Sequence, residues 1–157
     1  MYQYVDGKTP INHMRLAVDL FDLSQSAFLA SGSPWTESQF TESFANHQLF
    51  YILFYDEQSV VQGYICCQWV LDEAELLLIA VHPELRGQSI ASRLIQQARE
   101  YLMKQKVIQF YLEVRASNQS AQMVYLKNQF QIVGERKNYY HQPKETAIIM
   151  ATKLQEE

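Results

Sequence analysis

Glu113 lies in the stretch Leu112-Glu113-Val114-Arg115-Ala116-Ser117-Asn118, and its neighbours decide what it can do. The run Ile108 to Val114 reads as a strand, so Leu112 and Val114 share one face and Glu113 takes the other. A carboxylate near the C-terminal end of a strand in an open α/β sheet sits where such sheets bind ligands. There it can accept a proton; a solvated edge carboxylate would have the same pattern. Tyr125 falls in the next helical segment, on a stripe with Ala121, Val124 and Asn128. Its phenol can donate a proton, or serve as a core tyrosine with its hydroxyl at the rim. Asn118 stands where a side-chain oxygen would start that helix.

A second constellation follows Val81, where His82-Pro83-Glu84-Leu85-Arg86-Gly87-Gln88-Ser89-Ile90-Ala91 runs directly into a helix. The first N–H groups of a helix lack internal partners, and its dipole favours negative charge there. Small residues let the backbone come close to a phosphate. A strand, a turn and one glycine are also an ordinary connection, so the order of residues has to carry the reading.

The elements that position these groups follow from hydrophobic period. Residues 10–31 read as a helix with Ile11, Met14, Val18, Phe21 and Phe28 on its apolar side. Thr36-Glu37-Ser38-Gln39 has the form of a capping box and opens a short helix to about Asn46. Three strands of an antiparallel meander come next, at Leu49–Tyr55, Val60–Leu71 and Ala74–Val81. A helix from about Ser89 to Lys104 has the stripe Ile90, Leu94, Ile95, Ala98, Tyr101 and Leu102. The rest alternates: strand Ile108–Val114, helix Ser117–Asn128, then strands near Phe130–Arg136 and Thr146–Leu154. The strand–helix–strand order in the middle requires a parallel pair inside a mixed sheet. One α/β domain over residues 1–157 is expected.

Composition narrows the chemistry. With 48% hydrophobic and 19% charged residues, the 157-residue chain can bury an ordinary core. Its formal charge of −4 comes without any cluster of lysine and arginine, which disfavours direct nucleic-acid binding and suits a cationic substrate. Cys66 and Cys67 are adjacent, so in a strand they point to opposite faces and cannot readily bridge. Neither they nor His13, His47, His82 and His141 have a metal-ligand spacing, and no metal is expected. His82 reads as a surface or capping residue. With no apolar run long enough to span a bilayer and no leader pattern, a soluble cytoplasmic protein without membrane contact is expected. A monomer or weak dimer suffices.

The segment Arg86–Ala91, after a Val-x-Pro-x sequence, resembles the acetyl-CoA signature of the GNAT acetyltransferases. Arg86 and Ala91 match it and Gly87 is frequent there; Ser89 departs, because the family prefers glycine. Amine acetylation needs a neutral amine, a base for its proton and an acid for the leaving thiolate. Glu113 and Tyr125 are of the right types, and N–H groups near Ile79, Ala80 and Val81 could polarise the thioester carbonyl.

The resemblance becomes closer over Leu112–Asn118, Tyr125 and Arg136-Lys137-Asn138-Tyr139-Tyr140. These look like the bacterial RimI-type enzymes, which acetylate the N-terminal alanine of a ribosomal protein. Pro34-Trp35-Thr36-Glu37, Val70–Ala74 and Ala147–Ala151 are similar too, so the likeness runs from about Ser33 to Leu154. It implies a mixed seven-stranded sheet flanked by about four helices. It further implies acetyl-CoA as co-substrate, held by Ile79, Ala80, Val81, Arg86, Gly87, Gln88, Ser89, Ile90, Ala91, Ser92 and Asn118. Glu113 would be the proton acceptor and Tyr125 the proton donor. The acceptor implied is the N-terminus of the eighteenth protein of the small ribosomal subunit.

Gln129 stands where the family usually has glycine, which concerns backbone strain rather than chemistry. Trp35, Tyr139 and Tyr140 are candidate walls of a peptide channel, Trp35 also being a plausible packing residue and the tyrosine pair lying in a polar loop. An α-amine has a pKa near 8 against about 10.4 for lysine, so roughly a tenth of it is neutral at pH 7. A single glutamate base would find it the easier acceptor. Two other readings stay open: acetylation of lysine or a small amine, and a non-catalytic acyl-CoA-binding or ribosome-associated module.

Overall fold

In the computed structural model, which describes residues 1–141 and 144–154, a mixed sheet of seven strands carries helices on both faces. The chain runs β1 (Tyr2–Val5), α1 (His13–Ala27), α2 (Glu37–Ser43), β2 (Leu49–Tyr55), β3 (Val61–Val70) and β4 (Glu73–Val81). It continues with a 3-10 turn (Pro83–Leu85), α3 (Ile90–Lys104), β5 (Gln109–Arg115), α4 (Gln119–Lys127), β6 (Gln131–His141) and β7 (Lys144–Lys153). The strands lie in the order β1-β2-β3-β4-β5-β7-β6, and among the described residues only β4 and β5 pair in parallel.

The meander and the parallel pair are as expected. β1 is an addition: four residues at the sheet edge, too short to show a period, which take register from β2. α1 begins and ends inside the expected span, because the Asn12 side chain accepts from the Arg15 N–H and caps it. Its buried residues are Leu16, Ala17, Leu20, Leu23 and Ser24. Of the expected stripe, Ile11, Phe21 and Phe28 pack partly buried against the edge of this core, whereas Met14 is 73% exposed. The Thr36–Gln39 capping box forms as read, and the α3 stripe is buried apart from the half-buried Tyr101. Among the described residues no helix is long and apolar enough to cross a membrane.

Each face of the sheet has its own core. On one face α3 and α4 pack over Ile52, Ile65, Phe110, Leu112 and Val114. On the other, α1 and α2 pack over Tyr51, Leu53, Tyr64 and Leu78. Cys66 and Cys67 fall into opposite cores, both free; burial pushes the Cys66 thiol up to about 12 and that of Cys67 well above its usual value.

One irregularity divides β4 between the two cores. Cys66 pairs with Leu78 and Cys67 with Leu76, so Leu77 has no partner on β3 and forms a bulge. Before it, Ala74 and Leu76 face α3; after it, Leu78 and Ala80 face α1. The ladder to β5 ends at the same place, with Leu76 opposite Leu112. Beyond this point β4 and β5 diverge, and the sheet is split.

Candidate active site

The split opens a cavity of about 680 Å3 between the end of β4, the start of α3 and α4. Among the described residues the edge of β4 that faces β5 has no strand partner from Leu77 to Val81, and Ile79, Ala80 and Val81 line the cavity. Backbone N–H groups on such an edge are left to a ligand.

The α3 end of the cavity is built by the expected turn. Arg86, Gly87, Ser89, Ile90, Ala91 and Ser92 line it, whereas the exposed Gln88 does not. Gly87 has φ +82°, a conformation that favours glycine, and a Cβ there would meet nothing within 4 Å. Ser89 caps α3 in the left-handed region, at φ 63° and ψ 20°, with no side-chain capping bond. The first helical hydrogen bond is Arg93 N–H to Ser89 O, so the N–H groups of Ile90, Ala91 and Ser92 have no acceptor within the helix. Gly63 keeps the facing strand bare, with Ile90 and Leu94 within van der Waals contact of where a Cβ would stand. Arg86 turns outward and donates to the Ala27 carbonyl at the end of α1, 2.8 Å away. His82 accepts from the Glu84 N–H through Nδ1, the capping role expected of it.

The α4 side supplies Asn118, Ser120, Ala121, Val124, Tyr125 and Lys127. Asn118 caps α4 by accepting from the Ala121 N–H at 3.2 Å. Tyr125 is 93% withdrawn from solvent yet lines the cavity. Burial first, and then Tyr140, push its phenol well above the usual tyrosine range, so it stays protonated at neutral pH. Lys127, Ser120, Leu85, Ala27 and Phe28 also line the cavity and had no signal in the sequence; a lysine ending a helix reads as dipole complement.

Glu113 is not in the cavity wall. It lies on the opposite face, beside the split, where Arg136 Nη1 stands 3.7 Å from its Oε1. The core on that face contains no residue of β5, β6 or β7, so those strands carry no helix there. Tyr140 connects the two sides electrostatically: burial first, and then the Glu113 charge, raise its phenol, while Tyr140 in turn raises Tyr125. The Arg115 guanidinium stacks 4.2 Å from the Tyr140 ring centre and pairs with Glu145 at 3.4 Å.

Two expected element assignments need correction here. Tyr139 and Tyr140 belong to β6, which runs five residues past Arg136 to His141, not to a loop. A register shift between Arg136 and Tyr140, with Asn138 at φ 57°, bends the strand and hides its period. α4 starts at Gln119, because Ser117 and Asn118 form its cap. Trp35 packs against Phe40, ring centres 5.3 Å apart, and does not line the cavity. Among the described residues no three His, Cys, Asp or Glu could hold a metal ion.

This arrangement has counterparts. The family model of the Acetyltransferase (GNAT) family matches residues 17–130. The chain is 35% identical over 139 residues to the ribosomal protein bS18-alanine N-acetyltransferase of Haemophilus ducreyi, covering 86% of this chain and 92% of that one. The crystal structure of the ribosomal-protein-S18-alanine N-acetyltransferase from Escherichia coli superposes with a TM-score of 0.83 at 28% identity, covering 100% of this chain and 96% of that one. An aminoglycoside 6'-N-acetyltransferase complexed with coenzyme A shares the fold at 17% identity, with a TM-score of 0.78 and coverage of 100% and 98%. A split sheet, an α3 N-terminus with free N–H groups and a family match over most of the chain agree, and the protein belongs to the GNAT acetyltransferase family.

Proposed function

We propose that the protein transfers the acetyl group of acetyl-CoA to the N-terminal α-amine of a ribosomal protein that begins with alanine. The observation that carries it is the split at Leu76–Leu112, with a cofactor-sized cavity on one side and Glu113 on the other. Kinship with enzymes named for bS18 alanine supports the choice of acceptor.

Acetyl-CoA, when bound, supplies the thioester carbonyl carbon that the amine attacks and the thiol that leaves. The free N–H groups of Ile90, Ala91 and Ser92 hold its phosphates, with Gly87 and Ser89 shaping the approach and Lys127 adding positive charge. The N–H groups of Ile79 and Val81, which alternate with that of Ala80 and face the open edge, stabilise the carbonyl oxygen. Glu113, directly or through a water, takes the proton that the attacking amine loses as the new C–N bond forms. Tyr125, kept protonated by burial, delivers a proton to the sulfur as the C–S bond breaks. Tyr139 and Tyr140 stand along the acceptor's approach. Asn118 orients the start of α4 beside the cofactor, and Gln88, outside the cavity, bears on the turn's backbone alone.

The test is acetyl-CoA with peptides beginning Ala, Ser or Met, and with an N-blocked peptide containing lysine, read by mass spectrometry. Acetylation of the α-amine, strongest for Ala, is expected. Modification of the blocked peptide's lysine alone would overturn the assignment.

A further inference from the structure

Asn128 ends α4 and stands outside the cavity, yet it bonds to a residue that lines it. Its Nδ2 lies 2.8 Å from the Val124 carbonyl and 3.0 Å from Ser92 Oγ. A carbonyl oxygen only accepts, so the atom facing Val124 is the amide nitrogen. The second hydrogen of that nitrogen goes to Ser92, whose oxygen accepts it. The contact therefore has one sense: Asn128 donates, and the Ser92 proton points elsewhere. Asn128 is also held at its backbone. Arg99, buried on α3, donates through Nη2 to the Asn128 carbonyl at 2.6 Å and through Nη1 to Thr152 Oγ1 at 3.3 Å. Ser92 and Arg99 are seven residues apart on α3, two turns, so one face of that helix grips Asn128 at side chain and carbonyl.

Among the described residues the Ser92 proton has no acceptor. Hydroxyls inside helices commonly turn back to the carbonyl four residues earlier, as Ser24 does to Leu20 and Thr41 to Glu37. For Ser92 that residue is Gln88, which precedes the helix. Side chains of a helix lean toward its N-terminus, where the N–H groups of Ile90, Ala91 and Ser92 are free. The hydroxyl and these N–H groups share the α3 end of the cavity. An anion bound there meets four donors instead of three.

We infer that Asn128 is a positioning residue for the cofactor: by occupying the accepting side of the Ser92 hydroxyl, it aims the proton at a phosphate of acetyl-CoA. This rests on the reading of the α3 turn as the pyrophosphate site. The experiment compares the KM for acetyl-CoA with that for S-acetylpantetheine, which carries the same thioester and no phosphate. Ser92→Ala removes the donor and should raise the KM for acetyl-CoA about tenfold, leaving that for S-acetylpantetheine within about twofold. Asn128→Ala keeps the hydroxyl but frees its direction, and the rise for acetyl-CoA alone should be about threefold. Added to Ser92→Ala it should cost nothing more, because no proton remains to be aimed. Alanine suits a helix, so Ser92→Ala tests the donor even where Asn128→Ala loosens the end of α4. The inference is overturned if Ser92→Ala leaves the KM for acetyl-CoA unchanged, or if either variant raises both KM values alike. It is overturned too if the Asn128→Ala effect is undiminished in the Ser92→Ala background. An unaltered protein that takes S-acetylpantetheine as readily as acetyl-CoA would instead overturn the phosphate reading of the turn itself.

Discussion

On the α3 side of the split, the cavity presents backbone N–H groups, one glycine and small side chains. On the other side, the face above β5, β7 and β6 presents Glu113, Arg115, Arg136 and two tyrosines, with Glu75 of β4 beside them. Ser92 apart, the first region acts through where the chain goes, the second through which functional groups stand on it. Substitutions should divide accordingly: the cofactor side should respond to changes of backbone freedom, the acceptor side to loss of single groups.

The largest effect is expected on the acceptor side. Glu113→Gln keeps the shape and hydrogen-bonding reach of the side chain and removes its basicity. Turnover should fall about 100- to 10,000-fold, the range for loss of a general base, while the KM for acetyl-CoA stays within about twofold. Thiol release at varied acetyl-CoA measures both. A large rise in that KM would mean that Glu113 also orders the cavity, and the two regions would not be separable.

On the cofactor side the telling change is Ser89→Gly. A non-glycine residue in the left-handed region costs on the order of 1 kcal/mol, and Ser89 lies there with its hydroxyl uncommitted to a cap. Relieving it is partly offset by the greater freedom of glycine in the unfolded chain. The reaction should persist, and the KM for acetyl-CoA should drop by a few-fold because the turn reaches its phosphate-binding form with less strain. A rise in KM would assign the hydroxyl itself as a phosphate ligand, making this side depend on a second side chain.

The same division explains what could be read in the sequence. Strands β2 to β5, the α3 stripe and the capping box are local patterns and were legible. The turn Arg86–Ala91 was legible as well, because anion binding there needs only short-range backbone geometry. The bulge at Leu77 was not: Leu76-Leu77-Leu78-Ile79 is apolar throughout, so a change of face within it leaves no trace in the period. Nor was the pairing of Arg136 with Glu113, or the proximity of Glu75, since both arise from register between strands far apart in sequence. α1 misled for a related reason: its sequence has apolar residues on more than one side, and only the sheet decides which are covered.

Gln129 provides the control for Ser89. It too has a left-handed backbone, at φ 73°, and it too stands where the family usually has glycine. Here the strain serves a helix end. The Phe130 N–H donates to Tyr125 O and the Gln129 N–H to Leu126 O, the paired bonds of a Schellman cap, and the Phe130 ring meets Tyr125 edge-on at 6.0 Å. Gln129→Gly should therefore raise the melting temperature by about 2–4 °C, as expected for roughly 1 kcal/mol in a chain of this size. Turnover and both KM values should be unchanged, because Gln129 touches neither side of the split. If KM for acetyl-CoA moved with Gln129→Gly as it does with Ser89→Gly, relief of strain anywhere near α4 would be enough. The special place of the α3 turn would then be lost.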